Sequence, residues 1–174
     1  TSSDAIFNAA YDGVVGNPEA SVTVVEFFDY NCGFCKRAYE DMAAMVAADS
    51  DLRFVLKEFP ILGPDSHKAH IVSMAFRALA PERYAEFHRN LLMGGRATEQ
   101  SAILAAIELG VDEAALREEM KNPAIADAFG ETYELASRLA ITGTPSYVIG
   151  NEVVFGALGQ AVLKEKVELA RAQD

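Results

Sequence analysis

Cys32 and Cys35 are the only cysteines in 174 residues, and they stand as Cys-Gly-Phe-Cys. At that spacing the thiols can close on each other as a small disulfide ring, taking up or releasing two electrons within one turn of chain. Exchange runs through the thiolate, whereas a free cysteine, with a pKa of about 8.5, is mostly protonated near neutrality. A cysteine at a helix N-terminus meets unpaired N–H groups and the positive end of the helix dipole, and both favour the anion. Position therefore assigns Cys32 as the attacking thiol and Cys35, one turn in and more buried, as the thiol that resolves a mixed disulfide. The same pair also fits half of a zinc site; a second pair of ligands is then needed, and His67, His70 and His88 are the only further candidates. An inert disulfide and a chance pairing of two buried thiols complete the alternatives, although so short a ring constrains little of the unfolded chain.

Three other positions bear on that chemistry. Glu26 interrupts the apolar run Val-Thr-Val-Val-Glu-Phe-Phe six residues before Cys32. Burying an ionised carboxylate there costs several kcal/mol. Glu26 thus reads as a buried acid of raised pKa that moves protons to and from Cys35, or else as an edge-strand glutamate facing water. Lys57 stands in the next apolar run, where it either faces Glu26 or points to solvent. Thr144-Pro145 follows Gly143 at the start of a third run, a place where a strand tolerates proline.

The elements that must position these residues are legible as periodicity. Residues 22–28 are apolar on both alternating faces, the pattern of a central strand covered on two sides. A helix is expected to start near Cys32, with Phe34, Ala38, Tyr39, Met42, Met45 and Val46 at helical spacing, and to stop at Asp49-Ser50-Asp51. Residues 52–59 read as a second strand, parallel to the first across a right-handed crossover. Residues 64–140 read as helices throughout, with Pro81, Thr98, Asp112 and Asn122-Pro123 as start signals and Gly110 as a stop. The chain then returns to β-structure as a hairpin around Gly150-Asn151 and closes with an amphipathic helix from about Gly159. Residues 1–21 read as a polar, turn-rich extension. The two ends must meet in one sheet, so the fold class is α/β: a thioredoxin-like domain from residues 22–62 and 141–174, with residues 63–140 inserted as an all-helical domain.

Composition sets limits on function. Hydrophobic residues make up 51% of the chain, ample for a core. A net charge of −11 argues against a general nucleic-acid binder, which needs a basic face. No apolar run approaches the roughly 18 residues of a membrane span. Thr1 reads as the start of a processed or trimmed chain.

These motifs together resemble the DsbA family of thioredoxin-fold thiol:disulfide oxidoreductases, in particular its ScsC-like branch. The resemblance rests on Gly16-Asn17-Pro18, Val25-Glu26-Phe27-Phe28-Asp29-Tyr30, Cys32-Gly33-Phe34-Cys35-Lys36, residues 57–63 (Lys-Glu-Phe-Pro-Ile-Leu-Gly), Gly143-Thr144-Pro145-Ser146 and Val148-Ile149-Gly150. It implies Cys32 as nucleophile, Cys35 as resolving thiol, Glu26 as buried acid, Lys57 as its paired lysine and Pro145 as a cis-proline. Tyr30, Gly33, Phe34 and the Thr144 loop are expected to form an apolar, sequence-tolerant docking surface. It further implies a bacterial periplasmic location after removal of a signal peptide, unfolded exported proteins as substrates, a membrane redox partner, no cofactor and no resident metal. A monomeric oxidase is the expected activity. Isomerase or reductase activity on the same scaffold and a copper- or zinc-handling dithiol are the alternatives. Two departures bear on the direction of electron flow. Gly33-Phe34 replaces the Pro-His of DsbA-type oxidases, so no side-chain donor faces Cys32 from between the cysteines, and Thr144 stands where the archetypal oxidase has valine. Only 25 residues precede Glu26 in this sequence, too few for the dimerisation domain of DsbC-like isomerases; the alternative is an oligomerising N-terminal segment lost upstream of Thr1.

Overall fold

The computed structural model describes residues 2–173. The chain runs α1 (Ser2–Phe7), β1 (Gly13–Gly16), β2 (Val22–Phe28), α2 (Gly33–Ala48), β3 (Leu52–Glu58) and α3 (Pro64–Leu79). After a 3₁₀ turn (Pro81–Arg83) it continues as α4 (Tyr84–Met93), α5 (Glu99–Glu108), α6 (Glu113–Glu119), α7 (Pro123–Arg138), β4 (Ser146–Ile149), β5 (Glu152–Phe155) and α8 (Gln160–Ala172). The strands form one sheet in the order β1-β3-β2-β4-β5, with β2 and β3 parallel and the other pairs antiparallel. The start signals act as expected: Thr98, Asp112 and Asn122 each accept a backbone N–H of the first turn of their helix.

Residues 1–21 differ from the turn-rich extension that their composition suggests. They hold α1 and the edge strand β1, which pairs with β3. Four residues, two of them glycine, are too short and too weak in β-propensity to announce a strand; only the open edge of β3 makes them one. The ring of Tyr84 lies against Gly13, where a Cβ would fall 2.1 Å from it.

Side-chain alternation gives the sheet two unlike faces. Val22, Val24, Phe28, Leu52, Phe54, Leu56, Tyr147 and Ile149 join one core cluster with α2, α8 and most of the helical block. Val25, Phe27, Val55 and Val148 form the other, packed against Leu135 and Ala136 of α7 and Ile6 and Phe7 of α1.

Candidate active site

The backbone builds the site by ending β2 and starting α2 within four residues. Cys32 is the N-cap of α2, and its sulfur does what a capping oxygen does elsewhere: it accepts the N–H of Cys35 at 3.2 Å. The expected helix thus begins where its chemistry needs it to. Its buried stripe is Cys35, Ala38, Met42 and Met45. Phe34 is not part of that stripe, as its spacing suggested; it stands 56% exposed beside Cys32, with the Arg37 guanidinium 5.1 Å from its ring centre. Gly33 is likewise exposed, next to it.

The Thr144–Pro145 peptide bond is cis. The Thr144 carbonyl lies 3.4 Å from the Cys32 sulfur, across 112 residues of sequence. Gly156 N–H donates to the Pro145 carbonyl at 2.9 Å, which ties this loop to the end of β5.

Both cysteines are free thiols, and their environments push them apart. A hydrogen bond from the Cys35 thiol is the largest influence on Cys32; the Thr144 hydroxyl and the N–H groups of Cys35 and Phe34 act with it. Desolvation opposes them, and the Cys32 pKa falls to about 6. Donation to Cys32, then burial, then the nearby Glu26 carboxyl push the Cys35 thiol up. Near neutrality the pair is therefore one thiolate hydrogen-bonded by one thiol. That is an asymmetric dithiol, able to attack a disulfide through one sulfur and displace the product through the other.

Glu26 sits under the pair, 3% exposed, with its carboxyl raised to about 8 by burial first and then by the negative fields of Cys32 and Asp41. Its strand neighbours in register are Leu56 and Tyr147. Lys57 is not its partner. The register places Lys57 beside Phe27, so the alternation of β3 turns it to the opposite face. There it is 1% exposed, and its ammonium donates to Asp12 at 2.7 Å and to the Ala5 carbonyl at 2.6 Å. Tyr30 corrects a second expectation: it is fully buried rather than part of a docking surface. Its hydroxyl is shared with Ser73 (2.8 Å) and His88 (3.2 Å).

Several residues here escaped the sequence reading. The buried Asp29 carboxylate accepts four hydrogen bonds, from the N–H groups of Asn31, Ile61 and Leu62 and from the Ser66 hydroxyl. The ammonium of Lys36 donates to the Leu92 carbonyl at 2.5 Å and lies in the field of both sulfurs, while burial lowers its pKa. His70 accepts the Tyr30 N–H on Nε2 and bonds the Glu58 carboxylate through Nδ1, which places the proton on Nδ1. Glu58 also accepts from Ser73 and, at 2.9 Å, from Tyr84. Asp29, Lys36 and Glu58 stand inside the motifs that carry the resemblance and His70 among the candidate metal ligands, but the sequence assigns none of them a role in holding the site. Among the described residues no three of His, Cys, Asp and Glu gather as metal ligands, and no helix is long and apolar enough to cross a membrane.

With the strand, the capped dithiol and the cis-proline loop in place, comparison with known proteins decides the family: residues 23–168 match the DSBA-like thioredoxin domain. The chain belongs to that family. It is a thiol-disulfide oxidoreductase with a thioredoxin-like fold. It is 39% identical to a thioredoxin-like oxidoreductase from Silicibacter pomeroyi DSS-3, whose crystal structure superposes with a TM-score of 0.91 over 97% of each chain. The thiol-disulfide exchange protein alpha-DsbA2 from Wolbachia pipientis is 30% identical, with a TM-score of 0.86 over 96% of this chain and 90% of that one. Disulfide bond formation protein D of Bacillus subtilis (strain 168) is 25% identical over 166 residues, 89% of this chain and 75% of that one.

Proposed function

We propose that the chain is an oxidase that donates the Cys32–Cys35 disulfide to exported proteins. A substrate thiolate attacks the Cys32 sulfur, the S–S bond breaks, and Cys35 leaves, taking a proton from Glu26. A second substrate thiolate then attacks the substrate sulfur of the mixed disulfide and expels Cys32 as a thiolate. The substrate gains one disulfide and the protein gains two electrons, which a membrane redox partner removes.

The acidity of Cys32 carries this reading. A thiolate stable near pH 6 is a good leaving group, and its stabilisation exists only in the reduced protein, so it favours giving the disulfide away. Glu26 supports it as a buried carboxyl coupled to both sulfurs, with a pKa suited to proton transfer near neutrality. Exposed Phe34 and Gly33 and the partly exposed Thr144 frame the sulfur as the substrate surface. Such a reaction belongs in an oxidising compartment, which for a bacterium is the periplasm.

One observation favours an isomerase or reductase on the same site. None of the hydrogen bonds to Cys32 comes from a side chain between the cysteines, so the reduced form lacks one source of stabilisation. Equilibration with a glutathione buffer separates the two. The oxidase reading expects a potential well above that of thioredoxin, about −270 mV; a value at or below it, with repair of a scrambled substrate, would reverse the assignment.

A further inference from the structure

The three residues before Cys32 all bond outside their own helix and strand. Asp29 holds the backbone of the loop at 61–62, Tyr30 gives its N–H to His70, and Asn31 reaches the loop between α4 and α5. Asn31 makes the most directed of these contacts. Its Oδ1 accepts the Ala97 N–H at 2.8 Å, and its Nδ2 donates to the Ala97 carbonyl at 2.9 Å and to the Ser66 hydroxyl at 2.9 Å. A side-chain amide that pairs with both groups of one residue copies a strand pairing, so it fixes distance and orientation together. Ala97 is fully buried in the helical block, and Asn31 is joined covalently to Cys32. We propose that Asn31 is a positioning residue for the nucleophile: by pairing with Ala97 it holds the turn that sets Cys32 as the cap of α2, and so makes the helical block part of the reaction centre.

The physical link is short. Cys32 N–H bonds the Asp29 carbonyl at 3.0 Å, and the sulfur accepts from Cys35 only while the cap keeps its extended backbone, φ −82° and ψ 118°. Releasing Asn31 frees that backbone to turn. The sulfur then loses alignment with the first-turn N–H groups and with Thr144, although no atom touching it has been changed.

The inference rests on Cys32 as the attacking thiol, and the experiment separates the two. The reduced wild type and Asn31→Ala are titrated by thiolate absorbance, their alkylation rates are followed across pH, and both are equilibrated with glutathione. Loss of three hydrogen bonds at a half-buried side chain should raise the Cys32 pKa by about half a unit or more and slow alkylation at pH 5 about threefold or more. The glutathione equilibrium should move toward a weaker oxidant. Arg96→Ala, on the same loop but in an exposed pair with Asp65, should move none of these. An acidic Cys32 that Asn31→Ala leaves unchanged, or that Arg96→Ala shifts equally, overturns the positioning role alone. A wild-type Cys32 that titrates as an ordinary thiol sinks the nucleophile assignment and this inference with it. Should Asn31→Ala fail to fold, Asn31→Ser replaces it, too short to pair with both backbone groups of Ala97: a shift in the same direction supports the role, and none refutes it.

Discussion

The two faces of the central sheet each bury an acid, and they treat it differently. Asp12, on the α1 and α7 side, lies 2.7 Å from the Lys57 ammonium and also accepts the Ala9 N–H. Burial raises its pKa to about 6 against the pull of Lys57. Glu26, on the dithiol side, has no cation among the groups that shift it; its charged neighbours are themselves acids. The first arrangement holds the N-terminal segment to the sheet. The second leaves a carboxyl free to exchange its proton, as a relay beneath Cys35 requires. An ion pair pulls a buried acid back toward its charged form, to about 6 for Asp12, whereas without one Glu26 rises to about 8.

The largest effect should come from the dithiol itself. Cys32→Ser should abolish exchange, and Cys35→Ser should accumulate mixed disulfides visible on non-reducing gels; absence of trapped partners in cells would count against substrate exchange. On the opposite face, Lys57→Met leaves the Asp12 carboxylate buried and unpaired. It should cost about 3–5 kcal/mol by chemical denaturation, with the exchange rate of the folded protein unchanged. A drop in exchange without a loss of stability would restore Lys57 to the reaction.

Glu26→Gln should do the reverse, gaining stability and losing rate. With a folded pKa of about 8 against an ordinary carboxyl value of 4.5, Glu26 costs nothing below the ordinary value. As pH rises, the unfolded chain ionises first, so the native state loses stability progressively until it passes the folded value. Glutamine removes that loss. The variant should be equal to the wild type in acid and more stable by up to about 3 kcal/mol at pH 7, with a slower step at Cys35. A stability gap independent of pH would remove the buried acid from the account.

Cys32 has the opposite sign. Its lowered pKa stabilises the reduced fold fully above the ordinary thiol value, and that contribution fades as pH falls through about 6. The disulfide form has no such term. The difference in melting temperature between reduced and oxidised protein should therefore shift toward the reduced form as pH rises from 6 toward 9. A constant difference would contradict an acidic Cys32.

Much of this was legible before any coordinates. The apolar run at 22–28, the capping residues of the helical block and the hairpin at Gly150-Asn151 are local signals, and local propensity met no conflict from packing. The β1 strand was hidden because it exists only through the edge it pairs with. Lys57 was misplaced because a parallel register cannot be read from two separate runs, and an offset of one residue exchanges the faces. Tyr30 was misread because an aromatic beside a reactive pair suits a docking surface and a buried network equally well; only Ser73 and His88, more than forty residues away, decide between them.

The sequence by itself determined the chemistry: two thiols at a helix start, an acid in an apolar strand, and a Thr-Pro opening another. Those depend on residue type and on spacing along one chain. The tertiary structure decided which groups meet, setting Asp12 rather than Glu26 against Lys57 and joining Asn31 to Ala97. Hydrogen bonds and desolvation act over a few ångströms of space, and sequence separation does not report that distance.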